Sequence, residues 1–149
     1  EFGQLCEDTN GQNVLTPNFT PIEDVNQFEA IKSSSYILYS DGYVESCGRN
    51  DVGQLGDGTN INKVRTTPAL GASVTRLFGV GPSAESVFFV TNDGRVLGTG
   101  LNDVGQLGTG DRESKNIPTA VEFQQRVILG LVSASSDHTC ALGSTIKGN

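Results

Sequence analysis

His138 is the only histidine in the chain. An imidazole can serve as a general base or a metal ligand, but either role needs company. A catalytic triad needs an oriented carboxylate and a nucleophile, and a zinc site needs further His, Cys or acidic ligands. Asp137 is adjacent, yet neighbouring side chains in a strand point to opposite faces, so the pair is not read as catalytic. Cys6, Cys47 and Cys140 lie far apart and form no Cys-x-x-Cys. Their odd number favours small buried or half-buried residues over a closed disulfide framework and leaves open whether any two of them pair. Gly98-Thr-Gly-Leu-Asn102 and Gly53-Gln-Leu-Gly-Asp-Gly58 have the glycines of a phosphate loop but neither its Lys-Ser/Thr nor a following helix. Asp57-Gly-Thr-Asn-Ile-Asn62 has oxygen ligands for calcium without the alternating acids of an EF-hand, and Gly108-Thr-Gly-Asp111 is a fainter case of the same kind. Asn18-Phe-Thr20 is a glycosylation sequon, disfavoured by Pro21. No cofactor, metal or catalytic site is expected.

These residues sit in a glycine-rich chain, with 19 Gly among 149 residues and neither Met nor Trp. Short β-branched and aromatic runs between glycines predict an all-β protein. The net charge of −7 is concentrated at residues 1–50, where eight acids face two bases, giving −6. No basic stripe exists, so direct nucleic-acid binding is not expected. No apolar run is long enough to span a bilayer, and no signal peptide is visible. The opening Glu1-Phe-Gly-Gln4 looks like the middle of a motif.

A repeat organises everything else. Asp51-Val-Gly-Gln-Leu-Gly56 recurs identically at Asp103-Val-Gly-Gln-Leu-Gly108, and Gly3-Gln-Leu5 is a third copy. The periods are 50 and 52, giving repeats at about 1–50, 51–102 and 103–149. Prolines follow in phase at Pro17, Pro68 and Pro118, as do Asp41-Gly42 and Asp93-Gly94. Asp-Gly between apolar runs predicts two-residue type I′ hairpin turns, pairing 35–40 with 43–47 and 86–91 with 95–99. Preceding strands are expected at 28–33, 74–80 and 126–133, and outer edge strands from each proline at 17–22, 68–70 and 118–121. Four strands per repeat is one propeller blade.

The corner loops are assigned a structural role: Gly3, Gln4 and Leu5; Gly53, Gln54, Leu55, Gly56 and Gly58; Gly105, Gln106, Leu107, Gly108 and Gly110. The glycines supply unusual backbone angles, the leucine drops between blades, and the glutamine amide satisfies loop groups. Loop residues that vary between copies are the expected partner contacts: Glu7, Asp8, Asp57, Asn60, Lys63, Asp111, Arg112 and Lys115.

Asn50–Gly58, Asn102–Gly110, His138-Thr-Cys-Ala-Leu142 and the Gly-x-Asn endings at 48–50 and 100–102 resemble the regulator-of-chromosome-condensation repeat. Cys47 and Thr99 stand where that family has Trp, and Ser35 and Ser86 where it has His. The resemblance implies a partial β-propeller, about two whole blades plus parts of two others, cut from a larger ring. It implies a buried, hydrogen-bonded His138 and a soluble, nuclear or cytoplasmic setting, with a secreted or organellar one left open. It also implies function by recognition of another protein. The expected role is a non-catalytic interaction scaffold, whose partner is another protein or the rest of a propeller. Exposed strand edges could pair with another chain. The alternatives are a guanine-nucleotide exchange factor for a small GTPase and a structural subunit of a large assembly.

Overall fold

The computed structural model describes Cys6 and residues 22–79, 83–123, 127–134 and 137–145. Gly3, Gln4, Leu5, Glu7 and Asp8, and all but the end of the strand expected at 17–22, lie outside the described residues.

Two four-stranded antiparallel sheets follow one another along the chain. The first runs β1 (Val25–Ala30), β2 (Ser34–Tyr39), β3 (Val44–Gly48) and β4 (Lys63–Thr66), hydrogen-bonded in that order. The second repeats the order with β5 (Val74–Gly79), β6 (Ser86–Thr91), β7 (Val96–Gly100) and β8 (Lys115–Ala120). A two-stranded sheet, β9 (Val127–Ala134) with β10 (Thr139–Thr145), comes last. The repetition extends to irregularities: the first strand pair breaks register at Val25/Gln27 and at Val74/Arg76, the last pair at Ser46/Gly48 and at Gly98/Gly100.

Central strands are covered on both faces, so they read as continuous apolar runs rather than alternating ones. In β2, Tyr36 and Leu38 face the second sheet while Ile37 faces away. In β6, Val87 and Phe89 face back to the first sheet while Phe88 faces the third. The core is therefore divided into layers between sheets. The first layer joins Tyr36, Leu38 and Val44 to Leu77, Val87, Phe89 and Leu97. Tyr36 meets Phe89 edge to face, ring centres 6.3 Å apart, the arrangement aromatic quadrupoles favour. The outer strands β4 and β8 are half-buried to exposed and carry polar or charged residues, which protects a sheet edge.

Three local expectations are corrected. The hairpins at Asp41-Gly42 and Asp93-Gly94 are three-residue loops, not type I′ turns. The Gly42 N–H donates to Tyr39 O at 3.0 Å, and the Tyr39 N–H to Tyr43 O at 2.9 Å. Gly42 takes a φ of +87° while Asp41 does not go positive; one left-handed glycine closes the loop. The first sheet's outer strand ends before Pro68 instead of starting there, and β8 begins ahead of Pro118 and runs through it. Pro118 fits because β8 is the sheet's edge, where a missing N–H costs nothing. Finally, Ser34 pairs with Gly48 as Ser86 pairs with Gly100, so Ser34, not Ser35, is the counterpart of Ser86. The two serines do the same work: their hydroxyls donate to Arg49 O at 2.7 Å and Leu101 O at 2.9 Å.

Candidate functional site

The features that recur with least change are the long loops after β3 and β7, and each is wound around one buried asparagine. Asn50 Oδ1 accepts from the Leu55 N–H at 2.8 Å. Its Nδ2 has four acceptors within 3.0–3.3 Å: Asp57 Oδ1, Thr59 O, Thr59 Oγ1 and Ile61 O. Asn102 repeats this on the Leu107 N–H, Thr109 Oγ1, Asp111 O, Asp111 Oδ1 and Glu113 O. Both asparagines are fully buried, and in each amide two hydrogens are shared among four acceptors. The expectation had given this role to the glutamines. Gln54 and Gln106 do accept the Val52 and Val104 N–H groups at 3.1 Å, but the asparagines organise the loop. Both sit one residue ahead of the repeated Asp-Val-Gly-Gln-Leu, a recurrence that marks the position but not its burial.

The loops permute their polar residues without changing the chemistry. Asp57-Gly-Thr59 in one is Thr109-Gly-Asp111 in the other. In both, the asparagine amide meets one carboxylate and one hydroxyl. Burial alone would push the Asp57 carboxyl up, but hydrogen bonds from the Thr59 hydroxyl and N–H, Thr66 and Asn50 outweigh it and hold the group below its ordinary range. Asp111 is held low chiefly by Lys115, whose Nζ lies 2.6 Å away. Asp57 is thus not a free contact residue: N–H and O–H donors occupy both its oxygens, including those a calcium ion would need. Asn60 and Arg112 are exposed, while Lys63 and Lys115 are half-buried.

The first loop also fastens one sheet to the next. The Thr99 hydroxyl on β7 lies 2.9 Å from Gly53 O and 2.6 Å from Lys115 O. The Gly58 N–H donates to Asn116 O at 2.8 Å, and Asn116 Nδ2 donates to Asn60 Oδ1 at 2.9 Å. Tyr36 OH donates to Gln54 O at 2.8 Å. On the inner strands, Gln27 accepts from the Leu77 N–H at 3.0 Å and donates to Leu77 O at 2.7 Å. Glu85 of the second sheet pairs with Lys32 and Arg49 of the first at 2.9 and 3.2 Å. Leu55 and Leu107 are buried, and Leu107 packs with Phe88 and Val96 on the side facing the third sheet.

At that second junction the packing is open. A cleft of about 410 Å³ is lined by Phe88, Gln106, Leu107, Val121, Phe123 and His138, among others. Thr139 Oγ1 donates to Gln106 O at 2.7 Å. His138 is exposed rather than buried, and its Nδ1 lies 2.7 Å from Asp137 Oδ1. Strand alternation does not separate this pair, because β10 begins only at Thr139. Among the described residues no cluster of three His, Cys, Asp or Glu side chains could hold a metal.

The cysteine reading holds in part: Cys6 and Cys47 are buried as expected. Cys6 and Cys47 form a disulfide across 41 residues, and Cys140 is free and exposed. Sequence separation hid the pair, because the repeat brings a loop onto a strand one blade later.

Stacked four-stranded sheets, each locked to the next by a Gly-Gln-Leu corner, define a segment of a β-propeller. The family model "Regulator of chromosome condensation (RCC1) repeat" matches residues 93–142. The human regulator of chromosome condensation is 36% identical over 103 residues, 68% of this chain and 24% of that protein. Ultraviolet-B receptor UVR8 of Arabidopsis thaliana is 29% identical over 108 residues, again across 24% of its length. The chain thus spans about a quarter of these curated relatives. Prp20p from Saccharomyces cerevisiae superposes with a TM-score of 0.81 at 19% identity, over 98% of this chain and 38% of that one. Human WBSCR16 gives 0.77 at 20% identity, over 95% and 38%. The repeats of this chain are of the RCC1 type.

Proposed function

We propose that this chain is part of a protein-interaction propeller with no catalysis of its own, contacting its partner through the loops after β3 and β7. The observation that carries this reading is the division of labour inside those loops. Their anchors, Asn50 and Asn102 with the leucines they bind, are the same, while the exposed residues differ: Asn60 and Ile61 in one, Arg112 and Glu113 in the other. A rigid frame presenting variable side chains is how scaffolds place recognition on loops. Similar proteins point the same way: Prp20p is described with its binding to Gsp1p and histones, and also bound to Kap60.

The test begins with purification from the native source with partners attached. Ile61→Asp and Arg112→Glu are then expected to weaken the recovered complex at least about tenfold, through loss of hot-spot contacts, with unchanged melting. Unchanged affinity in both would remove the loops from the interface. The similarity to the human regulator favours a second reading, an exchange factor for a small GTPase. Faster nucleotide release from small GTPases at substoichiometric protein would put that reading in place of the scaffold.

A further inference from the structure

Two of the cysteines replace other residues at one repeated junction. Cys6 follows Gly3-Gln-Leu5, the position held by Gly56 and Gly108 in the later copies. It keeps their left-handed backbone, with φ of +55° against +69° and +67°. Cys47 is the counterpart of Thr99: Ser35 pairs with Cys47 as Val87 pairs with Thr99. Thr99 closes its junction with a hydrogen bond to the preceding loop at Gly53 O. Cys47 closes the corresponding junction with a covalent bond to the preceding loop at Cys6. Both sulfurs are in buried residues, 6% and 0% exposed, packed with Ile37 and Tyr39, and Arg65 Nη2 donates to Cys6 O at 3.2 Å. A left-handed cysteine where glycine is the easy choice is a cost that the S–S bond offsets.

We propose that Cys6–Cys47 is a redox-operated latch between successive repeats. It closes by two thiol–disulfide exchanges with a disulfide donor, a small-molecule or protein disulfide. The first thiolate attacks the donor, forming a mixed disulfide and expelling one donor thiol. The second thiolate attacks that mixed disulfide, forming Cys6–Cys47 and expelling the other. Two electrons pass to the donor, and the two protons lost by the cysteines end on its thiols. When open, the two buried thiols offer only weak donors where Thr99 has a hydroxyl, so the tie between Cys6 and β3 loses its covalent bond and keeps the Arg65 hydrogen bond to Cys6 O. The closed form belongs to an oxidising compartment.

The test uses the 149-residue chain with free thiols blocked before digestion. A linked peptide joining Cys6 to Cys47, with Cys140 blocked, is expected; its absence overturns the proposal. Limited proteolysis with and without a phosphine reductant then reads the latch. Cleavage ahead of Cys47 should speed up at least about tenfold on reduction, within what a disulfide contributes, while cleavage at 48–123 is unchanged. Cys6→Gly with Cys47→Thr installs the residues of the next junction and should cleave at the same rate in either condition. Cys140→Ser should keep the full response. No response in the native chain, an equal response in the double variant, or loss of response in Cys140→Ser would each overturn the latch.

Discussion

Asn50 and Asn102 each give a loop its shape, and their removal tests that directly. Asn102→Ala takes the acceptor from the buried Leu107 N–H and the donor from two carbonyls, those of Asp111 and Glu113. A loss of about 2–4 kcal/mol is expected in urea melts, from unpaired buried groups at about 1–3 kcal/mol each. Asn102→Asp should be at least as damaging near neutral pH, since a carboxylate would face Asp111 Oδ1 where the amide nitrogen now sits 3.0 Å away. Leu107→Ala should cost about 2–4 kcal/mol through the cavity it leaves. The acids add a pH signature. Asp57 and Asp111 are held below their ordinary values in the folded state, so their contribution is present above about pH 4, the unfolded value. It disappears as the pH falls through the depressed folded-state values. Urea midpoints should therefore drop below pH 4, and Asp57→Asn should flatten that drop. The leucines were legible in the sequence because burial follows from a repeated apolar residue among glycines. The asparagine hubs were not, because an amide beside an acidic residue is also how an exposed turn reads; only the buried geometry separates the two.

At the scale of elements, the two corner loops offer an internal control. A Cβ on Gly53 would come within 2.5 Å of Asn116, whereas one on Gly105 meets nothing closer than 3.8 Å among the described residues. Both glycines are left-handed, with φ of +80° and +85°, so alanine carries the same backbone strain at each. Gly53→Ala should cost about 1–3 kcal/mol more than Gly105→Ala, the toll of overpacking at a closed junction, in matched thermal melts. Equal losses would mean that the strand carrying Asn116 yields freely. The inner and central strands were readable because β2 and β6 are buried on both faces and flanked by Asp-Gly. The outer strands were misplaced because the proline was taken as their start. Their first residues, Lys63 and Lys115, are charged and half-exposed, and edge strands lack the apolar pattern that marks a strand.

For the molecule as a whole, the contrast between junctions decides the behaviour in solution. The first is closed by aromatic packing, a loop clamp and paired charges; the second carries a cleft of about 410 Å³, and Leu142 of β10 is 69% exposed. Among the described residues, β10 is paired with β9 and with no other strand. An unpaired edge of this kind attracts further strands. Light scattering should find the 15.7 kDa chain associating, or binding the remainder of a propeller supplied in trans. A monodisperse monomer that unfolds in one cooperative step would show that the edge needs no cover. The disulfide escaped the sequence at this same scale: which loop lands on which strand is set by stacking across repeats, and spacing along the chain does not report it.

Each corner loop is tied at its neck. The Asn50 N–H donates to Asn62 Oδ1 and the Asn102 N–H to Ser114 Oγ, both across a separation of 12 residues. A segment tied at both ends in this way can vary at its exposed tip while its buried end stays bonded to the strands around it. Residues 51–61 transplanted in place of 103–113 would bring their own acceptors for the asparagine at the neck, while the Thr66 bond to Asp57 and the Lys115 bond to Asp111 would be lost. Natural variation can then rewrite the rim of the molecule one insert at a time, with the architecture beneath left as it was.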